Sequence, residues 1–150
     1  MPKTESEWQE LSDFLAREVM GVVRWKELTE EERKAIKQSK VWRWYDGYWW
    51  PRGEGTLHPL YGILLWQPHN NIAQAMLILK TLLASIGHYA EAELHLRISP
   101  NRCRVTIQNW VATDGTPAGF VRSPYVDNEM QAICLAAKEW CDVQTAKTLA

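Results

Sequence analysis

Two short segments of strict alternation, joined by a four-residue turn, constrain this chain more than any other feature. Leu94, Leu96 and Ile98 share one parity and Glu93, His95 and Arg97 the other. Beyond Ser99-Pro100-Asn101-Arg102, Cys103, Val105 and Ile107 share one parity against Arg104, Thr106, Gln108 and Trp110. Successive strand side chains point to opposite faces, so period two on both sides of a Pro-Asn turn predicts an antiparallel hairpin with one apolar and one wet face. Asp114-Gly115 offers a further turn, into a third strand near 118–122.

Helical signals flank this hairpin. Thr4 and Glu7 form a capping box for a helix over 4–20, with Trp8, Leu11, Leu15 and Val19 on one face and Gly21 as its stop. Thr29 and Glu32 repeat the motif for a short charged helix over 30–39 that has little to bury. Asn70 or Asn71 caps a strongly apolar helix over 71–86, ended by Gly87. Asp127 caps a last helix over 128–142 that buries Met130, Ile133, Ala137, Trp140 and Cys141. The sum is an α+β chain: a central antiparallel sheet covered by helices, as a single domain over 1–150. Residues 22–40 read as a surface insertion and 143–150 as a loose tail.

The 150 residues carry a net charge of −1 and 46% hydrophobic residues. No field of one sign draws in nucleic acid, and direct DNA binding is disfavoured. No run approaches the length a membrane span needs. Cys103, Cys134 and Cys141 form no CxxC pair, an odd count that suits a reducing, cytoplasmic compartment. His58, His69, His88 and His95 lie scattered, with no partners at catalytic or metal-ligand spacing. The reading is a non-enzyme without cofactor or metal.

FLAREVMGV (14–22), WQPHNNIAQAMLILKTL (66–82), the central hairpin and VDNEMQAICLAAKEW (126–140) together resemble the phage ABA sandwich domain family. The family pattern has a Ser/Thr-rich cap before the middle helix, where this chain has His69-Asn70-Asn71. The resemblance implies a sheet covered by helices and a phage or prophage accessory setting. It transfers no catalytic residues.

Nine Trp stand beside two Phe, and five of the Trp crowd into 41–68. Asp46-Gly47 between aromatic flanks predicts a turn, with Trp42 and Trp44 inward. Adjacent Trp49 and Trp50 point to opposite sides of an extended chain, which predicts at least one exposed indole. Tyr48, Trp49, Trp50 and Arg52 are therefore one candidate contact surface, as indoles beside guanidinium groups dominate binding hot spots. Arg97, Arg104 and Trp110, with His95, Arg102 and Gln108, are the second, on the wet face of the hairpin. With the phage setting that the resemblance implies, the function to expect is occupation of a surface on a host or phage macromolecule, antagonising a host defence such as CRISPR. A protein is the first partner to expect, with a homodimer through the aromatic loop as an alternative. Sequestration of a nucleotide-like ligand through Arg and Trp residues is the alternative function, and a small enzyme the third.

Overall fold

The computed structural model describes residues 3–38, 49–51, 66–87, 89–97, 102–109 and 119–149. Helices α1 (Glu5–Glu18), α2 (Glu30–Gln38), α3 (Ile72–Ile86) and α4 (Glu129–Leu149) combine with strands β1 (Val22–Arg24), β2 (Trp49–Pro51), β3 (Ala90–Arg97), β4 (Arg102–Asn109) and β5 (Gly119–Arg122). The chain is α+β, and among the described residues both sheets are antiparallel. Its residues gather into two compact units, 1–15 with 67–150, and 16–66.

Local chemistry sets the helix ends. Thr4 and Glu7 bond reciprocally, the Glu7 carboxylate accepting from the Thr4 amide and the Thr4 hydroxyl from the Glu7 amide. The Thr4 amide first and the Thr4 hydroxyl next, both donating to the Glu7 carboxylate, hold that carboxyl below its ordinary value. Thr29 and Glu32 repeat the box at α2. Asn71 caps α3 by accepting from the Gln74 amide, and Gly87 ends it at φ 130°. Asn128, not Asp127, caps α4: its side-chain oxygen accepts from the Gln131 amide at 2.9 Å. Helix α4 runs on to Leu149, so the segment read as a loose tail is largely helical.

In the larger unit the strands stand in the order β3-β4-β5, and the register pairs Leu94 with Val105 and Leu96 with Cys103. The predicted hairpin and third strand are therefore present. Cys103, Val105 and Ile107 are buried, as their parity required, together with Val121 of β5. Helix α4 lies across β4 and β5, while α3 packs beside α4 and against β3. Helix α4 contributes Ala132, Ile133, Ala136, Ala137 and Trp140 to this core. Helix α3 buries Ala75, Ile78, Leu82 and Ile86, but Ile72 and Met76 stay exposed. Gly119 opens β5 where a Cβ would sit 2.8 Å from the Trp140 ring. Trp140 is buried and has nowhere to swing, so Gly119→Ala should cost about 1–3 kcal/mol, read as a lower denaturation midpoint.

In the smaller unit β1 and β2 form a two-stranded ribbon that pairs Val23 with Trp50 and Arg24 with Trp49. Trp49 and Trp50 are 0% and 2% exposed, which overturns the expectation that one indole faces solvent. The reason is that both sides of the ribbon are covered. On one side Trp50 packs with Val23, Leu28 and an edge-on Trp25 at 5.7 Å. On the other, the guanidinium groups of Arg24 and Arg17 lie 4.0 and 5.4 Å from the Trp49 ring centre, Arg17 being anchored by Glu27. The cover comes from residues 17–28, so the first part of the supposed surface insertion is core-forming.

Candidate functional site

The second face of the β3-β4-β5 sheet carries the polar parity. From β3 come Glu91, Glu93, His95 and Arg97; from β4 Arg102, Arg104, Thr106 and Gln108; from β5 Phe120 and Arg122. Arg97 stands opposite Arg102, and His95 opposite Arg104. Thr106 is flanked by Glu93 and Arg122, and Gln108 by Glu91 and Phe120. Four arginines against two glutamates make this face locally positive on a chain that is nearly neutral overall.

A bulge builds the centre of the face. The Val105 amide donates to Ser123 Oγ, and the Ser123 amide donates back to the Val105 carbonyl. Two positions along β4, Cys103 exchanges both backbone bonds with Val126 at 2.8 Å. Between these pairs Arg104 is opposed by two residues, Pro124 and Tyr125, a two-against-one bulge. Without the extra residue Tyr125 would stand opposite Cys103 and point toward α4. With it, Tyr125 turns to the polar face and meets both sequence-predicted arginines. The Arg97 and Arg104 guanidinium carbons lie 4.4 and 4.2 Å from the Tyr125 ring centre. Arg122 stacks on Phe120 at 5.0 Å.

Stacking fixes each guanidinium plane while leaving edge N–H groups for a ligand. Among the described residues Arg104 Nε has no hydrogen-bond partner, nor has the Thr106 hydroxyl, although Thr106 is only 4% exposed. His95 Nε2 lies 3.5 Å from Glu93, outside hydrogen-bond geometry. Three neighbouring polar atoms on one face thus lack hydrogen-bond partners among the described residues, where buried donors and acceptors nearly always have them.

Of the residues singled out from sequence, Arg97 and Arg104 are brought together, with His95, Arg102 and Gln108 on the same face. Trp49 and Trp50 are withdrawn into the smaller core. Tyr48, Arg52 and Trp110 lie outside the described residues, as do Trp42, Trp44, the turns at Asp46-Gly47 and Asp114-Gly115, His58 and His88. Tyr125, Arg122 and Phe120 were not foreseen, and Thr106 was read only as part of the polar parity. The signal for Tyr125 was Pro124, because a proline next to a strand marks a bulge.

His69 gathers a second polar cluster, in a buried place unlike the surface setting usual for a scattered histidine. It is 1% exposed and stacks on Trp8 with ring centres 5.6 Å apart. Its Nδ1 lies 3.1 Å from Ser12 Oγ and its Nε2 3.0 Å from Glu5. The Ser12 hydroxyl donates to the Trp8 carbonyl at 2.8 Å. A buried serine whose hydroxyl bonds back to a carbonyl of its own helix is arranged as a strut. Burial also pushes the Cys134 thiol up to about 12, which removes its thiolate at neutral pH. Among the described residues no group of three or more His, Cys, Asp or Glu could hold a metal ion. No described helix is long and apolar enough to cross a membrane.

A scan against protein-family models and searches of curated proteins and solved structures found no match for this chain.

Proposed function

We propose that this protein works by binding, with the open face of the β3-β4-β5 sheet occupying an acidic surface on a partner protein. The observation that carries the reading is Tyr125 held between Arg97 and Arg104, a rigid aromatic–guanidinium group in the style of interface anchors. The flat form of a sheet face suits a macromolecular surface better than an enclosed small molecule. Its mixed charge suits a protein better than a polyanion, because Glu91 and Glu93 would repel a phosphate backbone. In the phage accessory setting implied by the resemblance, the partner is a host or phage macromolecule, and blocking a host defence system is the role that fits. The unpartnered Arg104 Nε and Thr106 hydroxyl favour a second reading, a nucleotide-like ligand held at the same face.

One comparison tests both. Native protein and the Arg104→Glu and Tyr125→Ala variants are used to capture partners from host lysate, and small molecules released on denaturation are weighed. A partner protein should be captured by native chain and held at least tenfold less by either variant, since hot-spot loss costs about 2 kcal/mol or more. Capture that is undiminished in both folded variants would overturn the assignment to this face. A released phosphate ester, absent from Arg104→Glu, would decide for the second reading.

A further inference from the structure

Strand β3 is an edge: among the described residues it pairs only with β4. An eight-residue edge carrying Leu94 and Leu96 at 49% and 66% exposure is a ready template for another strand. Both leucines share the parity of buried Val105 and Cys103, yet the helix layer leaves them uncovered. Ile72 and Met76 of α3, which packs against β3, are exposed as well.

We infer that the outer edge of β3 pairs antiparallel with β3 of a second copy of this chain, about a two-fold axis at Leu94. The strand is complementary to itself in that register and in no other equally long one. With Leu94 opposite Leu94 of the second copy, Ala92 meets Leu96, Glu93 meets His95 and Glu91 meets Arg97. Each charged position faces the opposite sign or an imidazole, and each apolar position an apolar one. Directly opposed strand residues always share a face, so the neighbouring registers shift by two in the sum of positions. Centring on Glu93 sets two glutamates against each other, and centring on Ala92 sets Glu91 against Glu93. Centring on His95 opposes two histidines, and although Glu93 then meets Arg97, the paired stretch shortens to 93–97.

The pairing has two structural consequences. It joins two three-stranded sheets into one of six strands and removes both exposed edges of β3. It also sets the two arginine-bearing faces side by side, so that eight arginines of the pair look the same way. A strand edge with a few apolar side chains lies at the small end of stable interfaces, so a dissociation constant on the order of micromolar is expected.

The test is sedimentation equilibrium of the full chain and three charge variants, with cross-linking of two cysteine variants and folding checked by circular dichroism. The native protein should approach twice its 17.4 kDa mass as concentration rises through the micromolar range. Glu91→Arg and Arg97→Glu each place like charges opposite one another twice per dimer, and each should weaken association about tenfold. The double exchange, Glu91→Arg with Arg97→Glu, should restore it. Leu94→Cys should cross-link to its own copy under mild oxidation, because directly opposed Cβ atoms come within reach of a disulfide. Phe120→Cys, exposed on β5, should not. A native chain that stays monomeric throughout that range would overturn the inference. So would a double exchange no better than the single variants, or equal cross-linking at positions 94 and 120. None of these readouts depends on the partner protein, so this inference and the proposed function fail separately.

Discussion

Trp49→Ala and Trp50→Ala should each lower stability by about 3–5 kcal/mol, the cost of emptying a buried indole site. Typical domains have only about 5–15 kcal/mol in total, so either change takes a large share. The two variants should differ in mechanism. Trp50→Ala removes an edge-to-face partner of Trp25 and opens a cavity against Val23 and Leu28. Trp49→Ala removes the ring on which Arg17 and Arg24 stack, leaving two guanidinium groups over a void. The Trp49 indole N–H is buried without a hydrogen-bond partner among the described residues. Trp49→Phe keeps an aromatic face for the arginines and deletes that donor, so it should cost far less than alanine. Denaturant midpoints for the three variants check this. A Trp49→Ala chain as stable as the native one would place the indole outside the core.

His69→Ala should be the next most damaging change, lowering stability by about 2–4 kcal/mol through lost packing and lost hydrogen bonds. For a chain of this size that is a fall of roughly 5–15 °C in melting temperature. Three contacts are lost together: the stack on Trp8, the bond to Ser12 and the bond to Glu5. They are not equal. The Glu5 carboxylate is 68% exposed and recovers its hydrogen bonds from water, so Glu5→Gln should cost no more than about 1 kcal/mol. Ser12 is buried and has no such recourse. Partner binding by the fraction still folded should be unchanged, which separates a structural strut from a site residue. Binding lost from folded His69→Ala protein would contradict that assignment.

Much of the fold was legible because its signals are local. Period two with a turn between determines a hairpin, capping boxes at Thr4 and Thr29 determine where helices start, and Asn71 and Gly87 bracket α3. These features act over three or four residues, and the structure keeps them. The arginine face was also half legible, since parity alone puts Arg97 and Arg104 on the side away from Val105.

What parity could not decide was coverage and aim. Two adjacent tryptophans must face opposite ways, but whether each finds a cover depends on chain more than twenty residues distant. Here residues 17–28 supply it, which puts both indoles in a core. Asp127 and Asn128 are equally good caps by composition, and it is Asn128 whose side chain reaches the Gln131 amide. Tyr125 is the clearest case. Its parity with Val121 and Ser123 assigns it to the helix side, and one inserted residue opposite Arg104 reverses it. A strand repeats every two residues, so a single added residue inverts every side chain beyond it, and only the pairing of Cys103 with Val126 reveals that it happened. Local alternation and capping wrote the elements into the sequence. Which surfaces were covered, and which way Tyr125 faces between two arginines, depended on contacts between segments distant along the chain.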